Sequence, residues 1–211
     1  MIGSFRHKGL AELFSTGSTA KGRPELQKRA LRRLDAMEAA TSLVELNQPG
    51  FDFHPLHGKP RRYSIQVSSS HVNGPWCITF EWDDGTALRV DLEQYHKGGR
   101  RLPAGGTAMS ETRTKRPVER KPTHPGELMR EILDDHVKLP IAEAARRMKI
   151  SRPALYAVLN GTGAVTADMA LRFGKLVGAP PELYVRMQAN YDLWRARQRL
   201  KDTLAGIPPA A

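Results

Sequence analysis

The chain has 211 residues, with 33 Lys+Arg against 22 Asp+Glu for a formal charge of +11, and 40% of it is hydrophobic, enough for one large domain or two small ones with a buried core. No apolar run approaches the roughly 18 residues a bilayer span needs, the opening MIGSFRHKGL lacks the apolar stretch of a signal peptide, and the single cysteine excludes an internal disulfide framework and a cysteine-rich zinc site. The expectation is a soluble cytoplasmic protein with no cofactor and no metal site.

Residues 1–96 are nearly neutral at +1. Lys8 to Thr16 reads as a short helix. Pro24 to Ala40 reads as a longer one, with Leu26, Ala30, Leu31, Leu34 and Met37 on one face at three- and four-residue steps. Pro24 suits its first turn, and Lys28, Arg29, Arg32 and Arg33 take the remaining faces. After Pro49-Gly50 the period changes to two. Phe51 to His54, Tyr63 to Val67 and Trp76 to Trp82 alternate, Asp84-Gly85 is a hairpin turn signal, and Ala87 to Glu93 supplies the partner strand. Two helices followed by a small antiparallel sheet make an α+β domain.

The polar candidates of this segment are His54, His57, Lys59, Arg61, Arg62, Tyr63, Tyr95 and His96. RNA cleavage needs a group to take the 2′-hydroxyl proton, cations for the phosphorane charge and a donor for the leaving oxygen. His and Tyr can serve as acid or base, and Lys and Arg can stabilise charge. Basic residues beside a strand are more often a solvated rim. His54, His57, Cys77 and His96 match no metal-ligand spacing.

Residues 97–122, KGGRRLPAGGTAMSETRTKRPVERKP, carry +6. Gly, Pro and small polar residues without periodicity read as a flexible linker. Its charge serves solubility or touches an anionic partner such as nucleic acid.

Residues 123–211 carry +4 and read as all helix, in five pieces. The first runs from Pro125 to about Val137 and the second from Pro140 to Met148. Ser151 caps a third, which Gly161 ends. Thr166 caps a fourth, to Val177, and Pro180-Pro181 starts a fifth, through about Leu200. IAEAARRMKISRPALYAVLNG has helix-turn-helix spacing: Ala145 is small where two helices cross, Ile150, Leu155 and Val158 are apolar posts, and Ser151, Arg152, Tyr156 and Ala157 face outward. A major groove admits such a helix, its first residues at the base edges. Arg152 suits a guanine edge or a phosphate, Ser151 and Asn160 suit phosphates, and Arg146 and Arg147 sit one turn earlier. Lys149 stands at a turn where glycine is common. Leu183, Met187, Tyr191 and Trp194 form one stripe on the fifth helix, as core or as a shared interface.

Taken in order, SFRHKGLAELFSTG, LRRLDAMEAATSLVELNQPG, HPLHG, RRYSI, NGPWCITFEWDDG and the terminal YH resemble HigB-type toxins of the RelE/ParE group. The resemblance implies a messenger-RNA endoribonuclease that works on the ribosome through a C-terminal Asp-Tyr-His and basic residues on neighbouring strands and loop. His54, Tyr95 and His96 carry over, with Lys59, Arg61 and Arg62 as substitutes for lost cations. Gln66 and Cys77 stand where the family has arginines, Gln94 where it has the aspartate, and His57 where lysine is frequent. Gln in place of Arg removes a phosphate-stabilising charge, and losing one such donor costs about 10²–10³ in rate. The expectation is a toxin fold with impaired or absent ribonuclease activity.

HPGELMREIL, ISRPALYAVLNG and TADMALRFGKLVGAPPELYVRMQANYDLW resemble HigA-type antitoxins with an XRE-class helix-turn-helix. The resemblance implies operator DNA as partner, with Arg146, Arg147, Lys149, Ser151, Arg152, Tyr156 and Asn160 on the DNA-binding surface. It also implies a homodimer to which Leu183, Met187, Tyr191 and Trp194 contribute, and a role in neutralising the toxin. Met109 then marks the former start of the antitoxin, and Lys97 to Ala108 a translated spacer. The whole reads as a toxin–antitoxin fusion acting mainly as an autorepressor. The alternative is a ribonuclease held latent by its attached antitoxin, with messenger RNA and the ribosome as partners.

Overall fold

The computed structural model describes residues 1–20, 24–68, 75–95, 101–102, 111–113 and 120–210. The chain opens with a two-residue strand, β1 (Ser4–Phe5), and then α1 (Lys8–Thr16). His7 caps α1 by accepting the Leu10 N–H at 3.0 Å, and Gly17 closes it in the left-handed region at φ +86, as a glycine does without strain. Next come α2 (Pro24–Ala39), a single 3-10 turn (Leu43–Leu46), and the strands β2 (His54–Leu56), β3 (Arg62–Ser68), β4 (Trp76–Asp83) and β5 (Thr86–Tyr95). The Asp84-Gly85 turn has both residues at positive φ, 38 and 78, which the right-handed twist of a tight hairpin demands.

The sheet is mixed rather than purely antiparallel. Its order is β2-β3-β4-β5-β1-β7, with β6 also pairing with β5. β1 runs parallel to β5, Phe5 facing Val90. β6 (Arg101–Leu102) and β7 (Thr112–Arg113) come from the segment expected to be a linker. That expectation is therefore corrected at these points: β7 extends the sheet beside β1, and β6 continues the edge of β5. The expected strand at Phe51 to His54 lies later, at His54–Leu56. The stretch Ser68 to Pro75 falls largely outside the described residues, as does Met109.

The second half holds α3 (Pro125–Glu131), which widens into a π-helical turn (Ile132–Val137), then α4 (Ile141–Met148), α5 (Arg152–Leu159), α6 (Ala167–Val177), α7 (Glu182–Arg199) and α8 (Lys201–Ala205). The five expected helices are present. The first changes its winding at Ile132, and a short sixth follows α7. Ser151 accepts from Ala154 N–H at 3.3 Å and Thr166 from Met169 N–H at 3.2 Å, which are the caps expected of them. Gly126 lets α3 meet α5: a Cβ there would stand 1.9 Å from the Val158 carbonyl oxygen.

One hydrophobic core runs through both halves, from Phe5, Leu34, Ile78 and Phe80 to Leu128, Phe173 and Leu183. The joint is α2 against α3 and α7. Arg33 was expected on an outer face of α2, yet its side chain is 1% exposed. It donates to Glu131 of α3 at 2.6 Å and to the Gln66 carbonyl of β3 at 3.0 Å, and lies over the Phe51 ring at 4.2 Å. Arg32 also binds Glu131, and His136 stands 3.6 Å from it. Burial resists the charge on Glu131, but the His136 ring and both guanidiniums hold its carboxyl well below the usual range. Around this pair Arg29 meets Asp135 at 2.6 Å, Tyr184 donates to Gln48 at 2.6 Å, Arg186 pairs with Glu45, and Arg120 pairs with Asp35.

Removing the Glu131 charge strands Arg33 in the core, so Glu131→Gln is expected to lose about 3–5 kcal/mol in urea unfolding. The folded carboxyl titrates below its usual 4.5. Its contribution is therefore full above that pH and is lost as the pH falls below it. Glu131→Gln should remove that part of the acid sensitivity, and an unfolding series across the acid range checks both.

Candidate functional site

Two surfaces carry the sequence candidates. The first is built by α4, its turn and α5. Ala144, Ala145 and Met148 of α4 and Leu155, Val158 and Leu159 of α5 are buried, so the opposite face of α5 is free. Arg152, Tyr156 and Asn160 recur every fourth residue on that face and are exposed. Ile150, half-buried, packs under the turn, and its N–H donates to the Ala145 carbonyl at 3.1 Å. Arg172 donates to the Met148 carbonyl at 2.7 Å and so ties α6 to the end of α4.

The charges of this face are graded. Arg146 and Arg147 share Glu143, the first through two hydrogen bonds of 2.7 and 2.8 Å and the second at 2.6 Å. These bonds hold the Glu143 carboxyl down to about 2. Arg146 remains 74% exposed, and an exposed pair of this kind yields readily to a stronger anion. Asn160 accepts from Arg130 at 2.8 Å. Lys149, Arg152 and Tyr156 have no ion pair or side-chain hydrogen bond among the described residues. The face can therefore meet a polyanion with Lys149 and Arg152 first and Arg146 and Arg147 behind them.

Of the two readings of the α7 stripe, core and shared interface, the packing within the single chain favours core for three of its four residues. Leu183, Met187 and Tyr191 are 0%, 2% and 6% exposed within the single chain, because α7 fills the space between α2, α3 and α6. Tyr191 packs edge-on against the buried His124 at 4.8 Å. Only Trp194 of the four is half-exposed.

The second surface lies on the first half. His54 opens β2 and is exposed, its Nδ1 donating to the Asp52 carbonyl at 2.7 Å. The Arg61 guanidinium lies 5.6 Å from the Tyr63 ring. Lys59 and Arg62 line an open cleft of about 410 Å³ together with Arg6, Pro60, Glu81, Arg89 and Glu111. Gln66 and Cys77 are directly opposed across β3 and β4, and Cys77 is opposed to Glu93 across β4 and β5. The two positions expected to have lost arginines are therefore neighbours on one face. Cys77 is 4% exposed, and burial pushes its thiol up. Tyr95 ends β5, opposite Arg101. His96 lies outside the described residues.

Three cations of this surface are matched by carboxylates. Arg62 donates to Glu93 at 3.0 Å, Arg6 stands 3.9 Å from Asp91, and Arg89 binds Glu81 at 3.1 and 3.2 Å. Arg6, Arg89, Glu81 and Glu111 were not among the candidates read from the sequence. The one available signal was the set of charged residues at alternate positions along β5, Arg89, Asp91 and Glu93.

Residues 3–96 match the family described as RelE-like toxin of type II toxin–antitoxin system HigB. Endoribonuclease HigB of Proteus vulgaris is 39% identical over 97 residues, which are 46% of this chain and 100% of that protein. An uncharacterized HTH-type transcriptional regulator of Haemophilus influenzae is 29% identical over 95 residues, 44% of this chain and 89% of the relative. The solved Pseudomonas aeruginosa antitoxin HigA with higBA promoter is 28% identical, with a TM-score of 0.40, covering 43% of this chain and 99% of that one.

Lys149 closes α4 at φ +55, a left-handed conformation that costs an L-residue about 1–2 kcal/mol. Lys149→Gly is expected to raise stability by about 1 kcal/mol, less the entropy glycine loses on folding, and to weaken binding of any polyanion to this face. Thermal unfolding beside a gel-shift titration checks the pair of effects.

Proposed function

The chain belongs, through residues 3–96, to the HigB-like family of RelE-like toxins of type II toxin–antitoxin systems, and from that premise we infer that it is a toxin–antitoxin fusion working mainly as a DNA-binding autorepressor. The observation that carries the repressor reading is α5: buried by Leu155, Val158 and Leu159, it leaves Arg152 and Tyr156 exposed and unpaired among the described residues at its groove-facing side. The α4–α5 pair fits a helix-turn-helix, whose second helix enters the major groove with its N-terminal residues at the bases. A relative named as an HTH-type transcriptional regulator supports the same reading.

In this reading residues 97–122 join a toxin domain to an antitoxin domain of residues 123–211. Tethering makes pairing of the halves intramolecular, with an effective concentration in about the mM range. The functional unit is a homodimer on a two-fold operator. Leu193, Leu200 and Leu204, exposed at the end of α7 and on α8, are available to its interface, while the buried Leu183, Met187 and Tyr191 are not.

The toxin half is impaired. Catalysis on RNA would draw on His54, Lys59, Arg61, Arg62, Tyr95 and His96. Of these, Arg62 is engaged by the buried Glu93, and the neighbouring cross-strand positions hold Gln66 and Cys77. A phosphorane charge developing over that face meets fewer free cations than in a family member with both arginines, and each missing donor costs about 10²–10³ in rate.

Arg152→Ala is expected to weaken binding to the DNA upstream of the gene by about 1–3 kcal/mol in an electrophoretic shift, if Arg152 reads a base; unchanged affinity would reject α5 as the reader. The full chain is expected to leave messenger RNA intact in a ribosome-bound cleavage assay, and Gln66→Arg to raise whatever residual cleavage exists. The same chain cut within residues 97–122 is expected to stay inactive as well; cleavage by the cut chain at the rate of an intact family member would overturn the repressor reading in favour of the latent ribonuclease.

A further inference from the structure

The stretch that leads into α3 is fastened to the first half on either side of Lys121. The Arg120 guanidinium pairs with Asp35 of α2 and donates to the Phe14 carbonyl at 2.7 Å, and the Thr123 N–H donates to the same Asp35 carboxylate at 2.8 Å. Lys121 itself is exposed, and its ammonium stands 5.4 Å from the Tyr191 ring of α7. Arg195, one turn further along α7 and also exposed, lies 6.0 Å from the same ring. Burial lowers the pKa of His124, which packs against that ring; Asp192 works against the shift, and Lys121 and Arg195 both add to it, as two cations gathered around one spot do. Neither cation has an ion pair among the described residues. Asp192, the carboxylate nearest to Arg195 in sequence, accepts from Gln188 at 3.0 Å.

Lys121 and Arg195 flank an open cleft of about 500 Å³ whose other walls are Gly161, Thr162, Tyr191 and Trp194. Gly161 and Thr162 follow directly on Asn160, the last of the exposed α5 residues Arg152, Tyr156 and Asn160. The turn is tied to the helix end: the Gly161 N–H donates to the Val158 carbonyl at 3.0 Å and the Thr162 N–H to the Ala157 carbonyl at 2.9 Å. The cleft therefore adjoins the C-terminal end of the exposed α5 face. A cation over an aromatic ring is held in place yet keeps its N–H donors, so both side chains remain able to meet an anion. We propose that Lys121 and Arg195 form a subsite for one phosphate of the duplex DNA backbone beyond the end of α5, and that Asp35 is its positioning residue, acting through Arg120 and Thr123. The subsite rests on the reading of α5 as the DNA-facing helix. Through it the first half contributes to DNA binding without touching DNA.

Full-length variants are compared in electrophoretic shifts over a range of salt, on the DNA upstream of the gene and on an unrelated duplex, with thermal midpoints to verify folding. Lys121→Gln combined with Arg195→Gln is expected to flatten the salt dependence by about 0.9, the counterion release of one phosphate, which amounts to about an eightfold weakening at about 0.1 M salt. The loss should be equal on both duplexes, as for any backbone contact. Lys28→Gln, which removes an exposed charge from α2, should leave the slope unchanged. Asp35→Asn makes the chain more positive and would tighten binding if net charge alone mattered; lost positioning weakens binding and flattens the slope instead. An unchanged slope in the double variant, an equal loss in Lys28→Gln, or tighter binding by Asp35→Asn would each overturn the proposal, and a chain that binds neither duplex overturns the DNA reading with it. Arg152→Ala keeps the two apart: preference for the upstream DNA depends on Arg152, whereas the slope change is read on the unrelated duplex even where no preference exists.

Discussion

The buried contact between Arg33 and Glu131 constrains how the two halves of this protein stand together. Both side chains are almost wholly withdrawn from water, at 1% and 3% exposure. Taking two such charges out of water costs several kcal/mol each, and their attraction offsets this only with good geometry and further hydrogen bonds. The site supplies these through Arg32, the Gln66 carbonyl and the Phe51 ring. An apolar pair of similar volume could hold two halves as firmly. What the ion pair adds is orientation: a slipped α3 would leave a guanidinium facing a carboxylate-free core, which is far more costly than a slipped leucine. Gly50 sharpens the same constraint, because its missing side chain is where the His136 ring lies, 2.1 Å from the position a Cβ would take.

The contact also links the two candidate surfaces. Arg33 reaches from Glu131 on α3 to the backbone of Gln66 on β3, and Gln66 is the cross-strand neighbour of Cys77. α3 in turn packs beneath α5, where Gly126 allows the Val158 carbonyl to approach. The strand that holds Gln66 and the exposed face of α5 are thus separated by one guanidinium, one short helix and a glycine contact.

The elements legible in the sequence were those with a period. α1–α7 declare themselves through apolar steps, caps and proline starts, and β3–β5 through alternation around Asp84-Gly85. β1, β6 and β7 are two residues each. A two-residue strand has no period, and its pairing is decided by a partner distant in sequence. Arg33 was read as surface for a similar reason: an arginine beside Arg32 in a basic helix looks solvated until Glu131, 98 positions away, is brought to it. Arg62 was legible as a cation but not as a paired one, because Glu93 approaches it only through the β3–β4–β5 register. The α5 face was legible because its apolar posts fix which residues point outward.

The two surfaces differ less in how many cations they carry than in where the matching anions sit. On the first half Arg62 faces Glu93, whose side chain is 4% exposed, and Arg6 faces Asp91 at 16%. A carboxylate so shielded cannot swing into solvent to make way for a phosphate, and separating it from its cation leaves a charge poorly hydrated. On the second half Glu143 lies on an open helix surface and answers two arginines at once, so a phosphate can take one guanidinium while the other stays paired, and Arg152 needs no release at all. An anionic polymer therefore finds much of its charge opposed on the strand face and met on the helix face, which is the physical basis for proposing DNA before RNA as the partner of this chain.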